Sequence, residues 1–261
     1  MTRALITNDD GIASPGLCAL ARAAIDAGLD VVVAAPHEEA SGSSAAITGS
    51  NTIAVTGRTE ASSIRIEKRE LVELPGVAAY SVRAAPGLIA LLAAHGAFGA
   101  APDLVLSGIN RGANVGRVIL HSGTVGAALT GGVNDARGLA VSLDVGLHPT
   151  AHHWLTAAAV VGELIPVLLA HPPGTVLNVN VPNVAPESAP ELREATLAPF
   201  GIVQTTMTET VEGDIRLTVR DLPHEPIEGS DAALLAAGYA TVTNVVAVRE
   251  AGERVFSTAS A

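Results

Sequence analysis

An α/β fold, a doubly wound and mostly parallel sheet of the Rossmann-like kind, is what this sequence predicts. Three observations lead there. Short runs of small and branched apolar residues recur along the chain, and segments of helical period fall between them. The composition is 48% hydrophobic yet only 2% aromatic. Parallel strands buried on both faces read as such continuous apolar runs, and alternating β and α segments imply helices on both faces of one sheet. The 261 residues suffice for a sizeable core without staples. With so few aromatics, Ala, Val, Leu and Ile must build it.

The elements follow in order. Ala4-Leu5-Ile6-Thr7 predicts a first buried strand, broken by Asn8-Asp9-Asp10-Gly11. Ser14 then reads as a helix N-cap, Pro15 as a first helical residue and Gly28 as the residue that ends the helix. Leu17, Leu20, Ala21, Ala24 and Ile25 share one face of it, with Cys18 on its inner part as a core residue. Val31 to Ala35 makes a second strand, completing a right-handed crossover. Further on come a helix over 88–95, a strand over 103–106, a helix starting at 123–129, and a strand over 139–143. A long helix over 156–169, bent or ended near Pro166, leads to a strand over 176–181.

Two stretches break this rhythm. Residues 50–83 read as short antiparallel strands, with Ile64 and Ile66 alternating with Arg65 and Glu67. Residues 200–221 alternate more strongly, with Glu212-Gly213-Asp214 as the hairpin turn. The expected organisation is therefore an α/β core over 1–185 and a C-terminal extension over 186–261. The extension carries a hairpin suited to packing on another subunit.

Composition narrows the function. A net charge of −11 argues against a nucleic-acid polymer or an anionic membrane as partner, since either needs a basic face. Small anionic substrates remain open, because a metal or a few backbone amides reverse the local field. One cysteine excludes intrachain disulfides and thiolate zinc clusters. Lys68 is the single lysine, so no Gly-Lys-Ser/Thr phosphate loop exists. The most apolar later stretch, residues 157–170, is interrupted by Glu163 and Pro166 and is too short for a span of about 20 residues. A soluble, cytoplasmic protein is expected.

Ligands of open parallel sheets collect beyond the carboxyl ends of the strands. Following the first strand are Asn8, Asp9 and Asp10; following the second, His37 to Ser44; following the third, Ser107 to Asn114. His121-Ser122-Gly123-Thr124 leads into a helix at the same edge. Two adjacent buried carboxylates repel each other unless a cation lies between them, and a hard divalent ion takes such oxygens. An isolated Asp-Asp-Gly also serves as a simple turn; its place after a buried first strand favours the metal. Ser122, Gly123 and Thr124 form a helix N-terminus able to hold an anion, or an ordinary N-cap. His152 and His153 read as a solvated helix start. Ser122 lacks the Gly-x-Ser-x-Gly elbow of serine hydrolases.

At this point the motifs coincide with a known pattern. Thr7-Asn8-Asp9-Asp10-Gly11-Ile12, Ala35-Pro36 with Ser41-Gly42, and Pro102 to Asn110 with Gly112 and Asn114 stand in order. Ser122-Gly123-Thr124-Val125, Leu177 to Pro182, Ser230-Asp231 and Gly238-Tyr239 follow. The chain thereby resembles the SurE family of survival-protein nucleotidases over nearly its whole length. The resemblance implies a divalent-metal-dependent phosphatase acting on nucleoside monophosphates or a related small phosphorylated metabolite. It implies one Mg²⁺ or Mn²⁺ ion held by Asp9, Asp10, Ser41 and Asn110, with Asp9, Asp10 and Asn110 as catalytic residues. Asn114, Ser122, Gly123 and Thr124 would hold the phosphate, and the hairpin would be exchanged within a homodimer or homotetramer.

Departures mark the wall near the substrate. Arg83-Ala84-Ala85-Pro86-Gly87-Leu88 stands where the family carries Gly-Thr-Pro-x-Asp-Cys. His121 replaces an aromatic and Thr130 a glutamate, and the next loop reads Asn134 to Arg137. These changes leave a second reading open: a metal-anchored protein that binds a phosphorylated metabolite with little or no turnover.

Overall fold

A computed structural model describes residues 1–47, 63–146, 149–199, 204–209, 215–220, 227–246, 248 and 250. Strand β1 (Arg3–Thr7), helix α1 (Pro15–Asp26) and strand β2 (Asp30–Pro36) form the predicted crossover. Pro15 opens α1, and Gly28 takes a positive φ of 80° just past its end. Strands β3 (Ile66–Arg69) and β4 (Ala78–Val82) pair antiparallel, as the alternation at 64–67 predicts. Residues 50–62 lie outside the described residues.

Helix α2 (Pro86–Ala94) precedes β5 (Leu104–Arg111). A 3₁₀ turn over Gly116–His121 leads into α3 (Gly123–Val133), followed by β6 (Arg137–Asp144). Helix α4 (Trp154–Ala170) and strand β7 (Val176–Pro182) come next. Beyond them, β8 (Leu192–Glu194), β9 (Gln204–Glu209), β10 (Ile215–Arg220), α5 (Asp231–Ala236) and β11 (Ala240–Val245) complete the described chain.

Nine strands form one sheet in the order β3-β4-β2-β1-β5-β6-β7-β11-β8. Its centre, from β4 to β7, is parallel throughout. Strand β11 joins β7 antiparallel and β8 extends the far edge. Residues after 185 thus supply strands to the main sheet as well as a separate antiparallel pair, β9 with β10. The expected turn at Glu212-Gly213-Asp214 lies outside the described residues.

The core divides by face. Ile6, Val33, Leu106, Val141 and Val179 point toward α1 and α4, where Leu17, Leu20, Val161, Leu164 and Leu168 cover them. Leu5, Val32, Ala34 and Val105 meet α2 and α3 through Ile89, Ala90 and Ala127. The order of strands reverses beside β1, with β2 on one side and β5 on the other. Such a reversal opens a crevice at the carboxyl edge, and the sheet therefore puts Asn8-Asp9-Asp10 at its mouth.

Two expectations need correction. Ser107 to Arg111, read as a loop after a strand ending at Leu106, continue β5, with a register shift against β6 between Ser107 and Asn110. Gly108 and Asn110 end the apolar run in sequence, but pairing with β6 carries the strand on. Of a helix bent or ended near Pro166, the ending does not occur: α4 runs on to Ala170 with Ile165 and Leu168 buried. Core burial outweighs the hydrogen bond that proline removes.

Candidate active site

The carboxylates are gathered by their own turn. Asn8, fully buried, donates its amide to the Gly11 carbonyl and accepts the Gly11 N–H, both at 3.1 Å. Gly11 sits at φ 96°, a conformation that L side chains rarely adopt. Ile12 donates its N–H to Pro36 O, and Ala40 donates to Asp9 O at 2.7 Å. These bonds tie the turn after β1 to the loop after β2, which carries Ser41.

Asp9 is 6% exposed and accepts the Thr124 hydroxyl at 2.6 Å. Burial raises its pKa, and the Thr124 bond pulls it partly back. Asp10 accepts the Arg111 N–H at 3.2 Å, next to Asn110. Its pKa is pushed up to about 6, first by burial and then by the neighbouring Asp9 charge. Glu39 adds negative potential to both. Two carboxylates that resist ionising side by side are a place where a cation is stabilising.

The approach of α3 is close. A Cβ added to Gly123 would stand 2.6 Å from Ser43 Oγ and 2.9 Å from Asp9 Oδ2. Only glycine admits both. Ser43 Oγ itself is buried without a hydrogen-bond partner. A Cβ on Gly126 would likewise run into the Ser44 backbone, and one on Gly87 of α2 would stand 3.0 Å from the Ala45 carbonyl carbon. The loop after β2 is therefore wedged between the starts of two helices.

Each expected site residue has a definite place. Ser122 Oγ accepts the Val125 N–H at 3.1 Å, so it caps α3 as an N-cap does. Thr124 spends its hydroxyl on Asp9 rather than on solvent. The amides of Gly123 and Thr124 belong to the first turn, where helix N–H groups lack intrahelical acceptors. Ser41 is exposed and donates to Glu39 Oε1 at 2.6 Å. Asn110 Nδ2 donates to Gly112 O at 2.8 Å, so that bond uses its nitrogen and not its oxygen. Asn114 is held from another side, by Ser142, Asn178 and Asn180.

None of these last three residues is assigned to the site by the sequence, in which β6 and β7 read as buried strands. The available signal was Asn at two alternate positions of an apolar run. Ser43 was passed over beside Ser41. Asp231, fully buried at the start of α5, accepts N–H groups from Gly116 at 2.7 Å and Ala198 at 2.9 Å, anchoring the segment that leads to α3. His37 is turned by a 3.0 Å contact between Nδ1 and Ser81 Oγ. His152 stacks on Trp154, with centroids 5.3 Å apart, just ahead of α4.

The family model of survival protein SurE matches residues 4–204. The chain belongs to the SurE family. It is 41% identical over 198 residues to the 5'-nucleotidase SurE of Symbiobacterium thermophilum, covering 74% of this chain and 71% of that protein. To the 5'-nucleotidase SurE of Xanthomonas campestris pv. campestris it is 39% identical over 185 residues, 70% of this chain and 64% of the relative. The matched part thus spans about two thirds of such relatives. The crystal structure of the SurE protein from Aquifex aeolicus superposes with a TM-score of 0.74 at 26% identity. That match covers 94% of this chain and 93% of the other. The likeness extends over nearly the whole of both chains and so includes the strands that carry the carboxyl edge just described.

Proposed function

We propose that this chain hydrolyses phosphate monoesters, nucleoside monophosphates among them, with one divalent cation, Mg²⁺ or Mn²⁺. It is a phosphatase of the 5'-nucleotidase kind. The observation that carries the reading is Asp9: nearly buried beside a second carboxylate and hydrogen-bonded to the first turn of α3. Negative charge and an anion-binding helix start meet at one point, an arrangement that a cation would complete.

The residues fit such an ion. Asp9, Asp10, Ser41 and Asn110 offer only oxygens, as a hard cation requires. Among the described residues no trio of His, Cys, Asp and Glu gathers at ligand spacing, so two carboxylates and neutral oxygens would share the task. When bound, the ion supplies Lewis-acid polarisation of the phosphate and activation of water.

The chain supplies the rest. The Gly123 and Thr124 amides, aligned with the α3 dipole, orient the phosphoryl group and stabilise charge on its oxygens. Ser122 keeps its hydroxyl proton available while capping the helix. Asn114 donates its amide to a further oxygen. Asp10, held by the Arg111 N–H, fixes the approach of the Asn110 side to the reacting centre. The segment Arg83 to Leu88 leaves the wall near the substrate without the family's threonine hydroxyl and aspartate carboxylate. The organic part of the ester is therefore recognised by shape more than by hydrogen bonds.

In this reading the hairpin β9–β10 joins two or four copies of the chain, while β8 and β11 of the same 186–261 segment complete the main sheet. A cytoplasmic setting accords with one cysteine and with the lack, among the described helices, of any long and apolar enough to cross a membrane. The test is phosphate release from a panel of phosphomonoesters with Mg²⁺, Mn²⁺ or EDTA. Release that needs metal and vanishes in Asp9→Asn supports the proposal. Tight metal-dependent binding of one phosphate ester without turnover would instead establish the binding-protein alternative.

A further inference from the structure

Two asparagines in the middle of a buried strand need a reason. Asn178 and Asn180 are fully buried in β7, and a buried amide without partners is costly. Apolar side chains would fill a sheet face more stably. Both amides instead converge on one loop residue, Asn114. Asn180 Oδ1 accepts the Asn114 backbone N–H at 2.7 Å, and Asn180 Nδ2 returns a bond to the Asn114 carbonyl at 2.9 Å. Asn178 Nδ2 donates to the same carbonyl at 2.9 Å. On the adjacent strand, Ser142 Oγ accepts from Asn114 Nδ2 at 2.8 Å.

The register explains the convergence. Ser142 pairs with Asn110 on one side and Asn180 on the other. A single cross-strand row therefore links the expected metal ligand to the asparagine pair. The Asn114 main chain is gripped at both N–H and C=O, and Ser142 takes one of its two amide hydrogens. The second hydrogen is left with one direction, set by the grip.

We infer that Asn178 and Asn180 are positioning residues for phosphate capture, setting the place and orientation of the Asn114 amide. This rests on the reading of Asn114 as a phosphate donor. The pair acts through Asn114 and touches no substrate itself. A misplacement of about 1 Å at such a donor can cost on the order of 10²-fold in rate.

Asn180→Asp tests it, keeping the acceptor for the Asn114 N–H while turning a carboxylate oxygen toward the Asn114 carbonyl. Wild type, Asn180→Asp, Asn114→Ala and the double variant are compared in four measurements. These are phosphate release from a nucleoside monophosphate, inhibition by inorganic phosphate, calorimetric Mn²⁺ binding and thermal unfolding. The expected result is a loss of about 10–100-fold in kcat/KM and weaker inhibition by phosphate, with Mn²⁺ affinity unchanged. Once residue 114 is Ala, Asn180→Asp should cost nothing further. Equal losses in both backgrounds, or a lower Tm with unaltered phosphate inhibition, would overturn the inference. Full activity of Asn114→Ala would remove the phosphate role of Asn114 itself, a separate failure from additive losses. Should Asn180→Asp not fold, Asn178→Ser, which removes one of the two donors to the carbonyl, passes through the same cycle.

Discussion

The two halves of the carboxyl edge are built on opposite principles. Around Asp9 and Asp10 the charged forms are disfavoured: burial raises both carboxyl pKa values. Around Asn114 buried residues hold the main chain at both N–H and C=O, and Ser142 takes one hydrogen of its side-chain amide, although Asn178 Oδ1 is itself buried without a partner. The first half stores unfavourable electrostatics that, in the proposed function, a bound cation would relieve. Its counterpart is held in place, so under the proposed function an anion would meet donors already oriented. Neither arrangement alone would favour a metal-bound phosphate, and the fold sets them on neighbouring strands.

The largest effect should come from the electrostatic half. Asp9→Asn removes a charge while keeping the acceptor for Thr124. We expect kcat to fall by about 10²–10³-fold with Tm retained, measured by steady-state phosphate release and thermal unfolding. Substantial activity in the folded variant would show that the carboxylate corner is not where the chemistry occurs.

Next comes the anchor of the preorganised half. Asp231→Ala strips the acceptor from the Gly116, Ala198 and Ala232 N–H groups. Leaving buried donors unpaired costs about 1–3 kcal/mol each. A Tm drop of many degrees is expected, with weaker inhibition by phosphate in what remains folded. Unchanged Tm would mean that the segment before α3 is held by other contacts.

Gly126→Ala probes the seam between the halves. Its Cβ would fall within 2.6 Å of the backbone of Ser44 and Ala45, forcing the loop after β2 away from α3. Overpacking of this kind costs about 1–3 kcal/mol. Calorimetric Mn²⁺ affinity should fall together with Tm, because Ser41 rides on the displaced loop. A stability loss without any change in metal affinity would separate Ser41 from the site.

The smallest effect has the opposite sign. Asp10 has a folded-state pKa of about 6, above the unfolded 3.8. The metal-free fold therefore loses stability as pH rises from about 4 through 6, since the unfolded chain releases that proton first. Asp10→Asn should stabilise the metal-free protein at neutral pH by about 1–2 kcal/mol, allowing for solvent screening of a partly exposed group. The gain should disappear below pH 4. Divalent metal should raise the Tm of wild type but not of the variant. A lower Tm for metal-free Asp10→Asn at pH 7.5 would show that the carboxylates are not in conflict.

Local sequence carried much of this design. The apolar runs at 4–7, 31–35 and 139–143 announce parallel strands because burial on both faces favours nearly continuous apolar residues, and at 176–181 only Asn178 and Asn180 interrupt such a run. Pro15 and Gly28 mark the ends of α1 through their backbone preferences. Asp9, Asp10, Ser122, Gly123 and Thr124 stand out because adjacent charges and capping residues are local chemistry. What the sequence by itself determined is thus the order of elements and the chemical character of each loop.

Only the tertiary structure decided what each loop meets. That Ser107 to Arg111 stay in β5 depends on pairing with β6, contacts no window of neighbouring residues contains. Continuation of α4 past Pro166 depends on the core that covers Ile165 and Leu168. The Thr124 hydroxyl serves Asp9 and the Asn178–Asn180 pair grips Asn114 across 115 and up to 66 positions of chain. Hydrogen bonds and charge repulsion act over a few ångströms of space, whereas sequence patterns report only a few residues of chain. The sheet converts the one distance into the other.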